Sequence, residues 1–528
     1  MIQNIELLTK SNSKSLDFQL KSNTVTFDSN LEYSKPLTLK FIFKEPILYV
    51  RDYNYTWAKP HENYLASELC PKIIKLQSGV CIQANLIAGA WQLSSHNKYE
   101  LYWLFNQKNQ YPYTQYRKPG NHKHIISHKK VTRLSDLKLL ITNSPLEISR
   151  SKIGFTSVIC FTDHCDFDTP ENLTTLREFF KKYDIKVTKG FFLNHYSKRQ
   201  TNASFENNSL ELKKWQDDGH ELAYHSLTQS IKSKEKAIYE FENFEALNKT
   251  ATWIDHGYQP YNFSCLQSSG FSKNQYLNLL KSKNIKYLWT YIDNTSAHKG
   301  IINQLDFTSF KLKTLLKATE KDTFVKRWSL VSKAILFYYY NSSKTTQAYK
   351  SIAGIFKKLK KRFNIKDLLS FIQVILKIIY WLFIPLIFKQ NRNKVYPLSY
   401  YKPTIFQFNS DFYMFQTIEM NDFVNGLCKH NQDQMIKNKG FALLHTYFSV
   451  DFSYHKGRLL KDNNKINPEA EETFKIFCNN IQASKLWNPT FKELMQYIQP
   501  LFNSELKLDA DNKVVFAETN HLLTRYIS

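Results

Sequence analysis

Apolar positions change their rhythm twice along this chain. Up to about Pro145 they recur in short runs broken by turn residues: LTLKFIFK, ILYVRDY, KIIKLQ, VCIQANLIAGAWQL and YELYWLF. No long helical period interrupts them, so the pattern predicts a β-rich N-terminal domain, 1-150, of β-sandwich or jelly-roll type. After Ser157 the strand-length runs SVICFT, KVTKGFFL, HELAYH, TATWID and IKYLWTYID alternate with the amphipathic stretches LTTLREFFKKY, SLELKKWQDD, SKEKAIYEFENFEALN and KNQYLNLLKSK. This alternation predicts an α/β fold with a parallel sheet or barrel, in which chemistry gathers at the carboxyl ends of the strands.

Between Asn294 and about Tyr400 the alternation stops, and 294-400 reads as a basic, apolar helical insertion. From Leu368 to Phe388 the sequence is apolar apart from Ser370, Gln373 and Lys377, which recur at helical spacing with lysine and arginine on both sides. The length suits a bilayer span, but Lys377 near the middle and Pro385 make full insertion costly. The expected partner is a membrane surface, contacted through 350-394. A buried or oligomerising helix and a true span are the alternatives. Alternation returns with TIFQFN, a helix in MNDFVNGLCKHNQDQMIKN and the strand in KGFALLHTYF, so the barrel is expected to comprise 151-293 and 401-460. The remainder, 461-528, reads as two amphipathic helices and a hairpin in LKLDADNKVVFAE.

Composition narrows this picture. The 528 residues allow two to four domains, and 42% hydrophobic with 15% aromatic residues excludes a disordered chain. The formal charge of +26 suits an anionic partner such as phospholipid, lipid-linked phosphate or acidic glycan. No zinc-finger, helix-turn-helix or RNA-binding signature accompanies the charge, so nucleic acid is not expected. The aromatic and basic stretch YPYTQYRKPGNHKH could suit sugar stacking, but a polar loop is the preferred reading. Seven cysteines with no CxxC pair predict reduced thiols, neither a disulfide framework nor a zinc knuckle. The amino terminus has no signal-peptide core, so a cytoplasmic location is expected, peripheral at the inner face of the plasma membrane.

Candidate chemistry sits at the strand ends. The first strand ends in TDHCDFD, with Asp163, His164, Asp166 and Asp168. The third ends at His225 and Ser226 with Gln229 beyond, and the fourth at Asp255 and His256 followed by Gln259 and Tyr261. The fifth carries Trp289 and Asp293, and the LLH strand ends at His445. Carboxylates crowded at a buried strand end need a cation, a proton or a partner. The plainer reading is that Asp166 and Asp168 cap the helix starting at Pro170. Amide hydrolysis needs a polarised carbonyl, an activated water and a proton for the leaving amine. A divalent metal, a base such as Asp166 and an acid such as His445 would supply them.

In order and spacing, DFD, HSLTQ preceded by GHE, QPY, YLWTYID and LLH resemble the motifs of the polysaccharide deacetylases, the carbohydrate esterase family that includes chitin and peptidoglycan deacetylases. The resemblance covers roughly residues 155 to 293 and 400 to 450. It implies a distorted (β/α) barrel of the polysaccharide deacetylase type, here with an N-terminal β-rich domain and a helical insertion. It further implies Asp166 as base and His445 as acid, with Asp168, His225, His164 and Gln229 around a divalent metal of the zinc type. Asp163, His256, Gln259, Tyr261 and Trp289 would then meet substrate. A second register makes Asp163 the base and His164 the ligand. The chain departs from the family pattern at Gln229, where a histidine is usual, and before Pro260, where the usual arginine is missing; His164, His256 or Gln229 would complete the metal site. The function implied is removal of an N-acyl group, acetyl or formyl, from an amino sugar of a polysaccharide or lipid-linked glycan precursor. The alternative is a catalytically degenerate glycan-binding or scaffold protein in polysaccharide synthesis.

Overall fold

The computed structural model describes the chain except residues 11, 28–30, 63, 117–122, 363, 402–403, 451–456 and 462–463. Seven parallel strands form its centre: β1 (Ser157–Asp163), β2 (Val187–Phe191), β3 (Glu221–Tyr224), β4 (Thr252–Trp253), β5 (Tyr287–Ser296), β6 (Tyr413–Met420) and β7 (Phe441–Thr446). Each pairs with the next, and β1 pairs with both β2 and β7, so the ring closes. Every residue of β1 is buried, as a strand covered on both faces must be. Ile159 and Phe161 pack outward with Leu173, Leu176 and Phe180 of helix α1 (Pro170–Lys182). Val158 and Cys160 belong instead to a second apolar cluster with Phe415, Phe441 and Leu443.

The amino-terminal end of the barrel is plugged by a late helix, α2 (Phe491–Asn503). Its Phe491 ring lies 4.1 Å from Phe415. The Phe491 N–H donates to Thr188 Oγ1 at 2.7 Å, and the Lys492 N–H donates to the Glu221 carboxylate at 2.8 Å. Glu221 is buried, and it also accepts from Thr188 and Thr252, so the helix N-terminus and two hydroxyls solvate it. These contacts occupy it structurally, at the opposite end of the barrel from the strand-end histidines.

Among the described residues up to 150, the main features are two antiparallel sheets of six and seven strands. Phe41, Trp91 and Trp103 of one sheet share a cluster with Ile74, Ile82 and Leu139 of the other, and with Val158, Phe441 and Leu494 below the barrel. The final strand, Thr524–Tyr526, returns to pair with Leu146–Ile148. Between them Glu147 accepts from Arg51 at 2.6 Å and Arg525 at 2.7 Å.

The expected fold class is corrected here. In place of a distorted barrel of the polysaccharide deacetylase type, the chain has a closed seven-stranded parallel barrel with two antiparallel sheets packed below its amino-terminal end. The sixth strand, β6, lies in FYMFQTIEM, which the apolar pattern did not flag as a strand. Between β5 and β6 the helical insertion runs through Phe324–Lys333, a π-helical turn at Ala334–Tyr339, and the hairpin of α3 (Ser343–Lys361) and α4 (Ile365–Ile387). Of YPYTQYRKPGNHKH, residues 117–122 lie outside the described residues, while Pro112–Tyr116 pairs with Lys123–Ser127 as a ribbon.

Candidate functional site

A cavity of about 290 Å³ opens at the carboxyl ends of the strands. His164, His225, His256, Asp293 and His445 line one side, and the insertion supplies the other through Phe337, Tyr338, Thr346 and Lys350. The rim is set by β1. Its last residue, Asp163, is fully buried, with Oδ2 2.5 Å from Lys189 Nζ on β2 and Oδ1 accepting the Phe448 N–H. Lys189 also lies 2.6 Å from Asp168, which accepts from Ser449 Oγ. β2 can approach this closely because residue 190 is glycine; a Cβ there would sit 2.4 Å from the Asp163 carbonyl oxygen. Helix α1 is capped by Thr169 in a capping box with Asn172, so neither aspartate serves that purpose.

Beyond Asp163, the His164 N–H continues the pairing to Thr446, and the His164 ring stacks on His445 with centroids 3.8 Å apart. The donor atoms of His164, Asp166 and His225 lie within 4.8 Å of one another. Asp166 sits between two histidines, 3.0 Å from His225 Nε2 and 3.0 Å from His256 Nδ1. The second nitrogen of each ring faces a backbone carbonyl: His225 Nδ1 is 3.2 Å from Ile254 O, and His256 Nε2 is 3.1 Å from Gln229 O. A carbonyl can only accept, so those nitrogens carry the hydrogen in a neutral ring. The remaining nitrogens then turn lone pairs toward the same carboxylate.

Charge worsens the conflict. Burial, partly opposed by Asp166, lowers His225 to about 4, and burial with His445 and His225 holds His164 well below the ordinary histidine range. Burial alone would raise Asp166, but His256 and His225 outweigh it and keep the carboxyl well below its usual range. A neutral His225 thus turns a lone pair toward an ionised carboxylate, while the buried His164 Nε2 has no hydrogen-bond partner among the described residues. A divalent cation would resolve this arrangement, and nitrogen and oxygen donors fit one of the zinc type. The carbonyls behind His225 and His256 would orient them as ligands.

Opposite this group, His445 Nδ1 lies 3.1 Å from both oxygens of Asp293, and its buried Nε2 is unpartnered among the described residues. Burial would lower His445, but Asp293 with Glu419 and Asp166 outweighs it and raises the imidazole above its ordinary value. Asp293 is held by Thr417 Oγ1 at 2.7 Å, and Thr417 accepts from Trp289 Nε1 at 2.9 Å. The β5 register shifts between Trp289 and Asp293, where Tyr291 adopts φ +58°. A tyrosine in the left-handed region marks a backbone held for a purpose, here turning Asp293 toward His445. Tyr116, Tyr258, Tyr291 and Tyr447 complete an aromatic wall.

The expected residues divide accordingly. His164, Asp166, His225 and His256 come together, and His445 and Trp289 line the same cavity. Asp166 has both oxygens engaged by histidines, the surroundings of a ligand and not of a free base. Asp168, expected as a ligand, is neutralised beside Lys189, as is Asp163, expected at substrate. Gln229 is not a ligand: its amide nitrogen donates to the Asp166 carbonyl at 2.8 Å and its oxygen accepts from Ser197. Gln259 braces the loop after β3 through Thr228 and Ser230, and Tyr261 is buried against Phe241, so neither meets the cavity. Sequence reasoning missed Lys189, Glu419 and Tyr447. Lys189, a lysine within an apolar run, was the readable signal.

No protein-family model matches this chain, and no curated protein does. Among solved structures, the GH31 dextranase FjDex31A of Flavobacterium johnsoniae complexed with glucose aligns at TM-score 0.27 and 8% identity, over 92% of this chain and 60% of that one. A point mutant of the same dextranase complexed with isomaltotriose aligns at TM-score 0.26 and 8% identity, over 99% and 71%. The chain therefore spans 60% of the length of the first of these. A likeness this slight fixes neither fold nor activity.

Proposed function

We propose that the cavity is the active centre of a metal-dependent hydrolase that removes an N-acyl group from an amino sugar of a polysaccharide or lipid-linked glycan precursor. The observation that carries this reading is the convergence of donor atoms from His164, Asp166 and His225, with His256 on the same carboxylate, beside a His445–Asp293 dyad that lines the same aromatic cavity. A divalent ion held by the cluster would polarise the acyl carbonyl and lower the pKa of a water.

The chain's own groups account for the proton movements. Asp293 accepts the Nδ1 hydrogen of His445, which leaves Nε2 bare in a residue that lines the cavity, and stabilises the imidazolium once it forms. His445 Nε2 takes a proton from the attacking water and returns it to the departing amine nitrogen. Trp289, Tyr291 and Tyr447 offer faces and edges for a sugar ring.

Glycan binding without turnover is favoured by one observation: Asp163, the base in one register of the deacetylase resemblance, is locked to Lys189. Purified protein assayed for acetate or formate release from N-acylated amino-sugar oligosaccharides separates the two. We expect stoichiometric divalent metal, and a loss of at least about a hundredfold in turnover for His445→Ala, Asp166→Asn and His225→Ala. Unchanged turnover in all three would remove the hydrolase reading; metal-free protein without turnover would favour the binding role.

A further inference from the structure

Helix α4 presents two faces of opposite fate. Ile378 and Pro385 are buried, Leu382 and Leu386 pack on the main apolar cluster, and Tyr340 donates to the Trp381 carbonyl at 3.0 Å. On the other side Leu369, Leu376, Tyr380, Phe383 and Ile387 are 55–62% exposed. Their spacing of three, four and seven residues puts them in one stripe along 23 residues of helix. Lys366, Ser370, Gln373 and Lys377 follow one flank of this stripe by their spacing of four, three and four residues. From Ser343 to Lys394 the sole acidic residue is Asp367, against Lys358, Arg362, Lys366, Lys377, Lys389 and Arg392 among the basic ones.

We propose that this face of α4 docks on an anionic phospholipid bilayer, lying in the interface parallel to its plane. Charge complementarity argues for that occupant: an apolar stripe edged by lysine in a segment almost devoid of acid is what a negatively charged leaflet attracts and buries. The same features oppose a symmetric contact with a second copy, since two such faces would bring their cations together. A full span is opposed by the packed inner face, which insertion would strip from the π-helical turn. That turn carries Phe337 and Tyr338 into the cavity wall, so docking would hold the cavity close to the lipid surface.

Docking does not depend on the hydrolase reading, because it is measured without substrate. The test is sedimentation of the full chain with phosphatidylcholine vesicles, with and without about a third phosphatidylglycerol. The expected result is stronger binding to the anionic vesicles, weakened in about 1 M salt and at least about tenfold weaker for L376E/F383E. Both residues are exposed, and circular dichroism checks that the variant is folded. Equal binding by the variant, no binding by the wild type, or protein that resists extraction by salt and alkaline carbonate would overturn the proposal. So would light scattering that shows a wild-type dimer, dispersed by the variant, with no affinity for vesicles.

Discussion

The three aspartates of TDHCDFD meet three different surroundings. Asp163 and Asp168 share the buried Lys189 from opposite sides of the turn, while Asp166 faces two histidines. Their spacing could not assign these roles, because the chain leaves β1 after Asp163 and the turn, not strand alternation, decides where each carboxylate points. That histidines would gather at the strand ends was legible, since alternation fixes which end of the barrel they reach. Histidine elsewhere has a different use. His220 is buried, its Nδ1 accepts the Val187 N–H, and burial followed by nearby Lys186 lowers it to about 3. The folded state therefore keeps it neutral while the unfolded chain protonates near pH 6.5. Its contribution to stability is full above that pH and is lost as pH falls toward 3, by about 1.4 kcal/mol per unit. Urea titrations between about pH 7.5 and 5 should show this slope, and His220→Asn, which keeps an acceptor for Val187, should flatten it.

Among the elements, the buried parallel strands were legible because a strand covered on both faces reads as an unbroken apolar run. β6 escaped for the converse reason. Its Gln416 and Glu419 look solvent-facing in sequence, yet Gln416 accepts from Asn294 at 2.9 Å, and Glu419 is engaged by Lys333, Ser296 and Tyr338. Polar groups that satisfy one another indoors erase the apolar signature of a strand. α2 carried a clear helical pattern, but nothing in it announced a barrel plug. Because Phe491 fills the barrel's lower end against Phe415 and Tyr287, Phe491→Ala should destabilise the fold by about 3–5 kcal/mol in chemical denaturation. A cost below about 1 kcal/mol would mean that the plug is not needed.

Across the whole molecule, the C-terminal strand is tied to the N-terminal β-rich domain. Glu147 holds the buried Arg51 and the strand-borne Arg525 together, so Glu147→Ala leaves one guanidinium buried without its counter-ion. A loss of about 3–5 kcal/mol follows, and the midpoint of thermal unfolding should drop; Glu147→Gln, which still accepts hydrogen bonds, should cost less. Below the barrel, α2 is shared: Leu494, Ile498 and Leu501 belong to the same apolar cluster as the tryptophans of the N-terminal sheets. A gene fragment starting near residue 151 would therefore leave a broad hydrophobic underside facing water and would be recovered from inclusion bodies. Swapping that β-rich half for a foreign one would demand repainting the plug helix first.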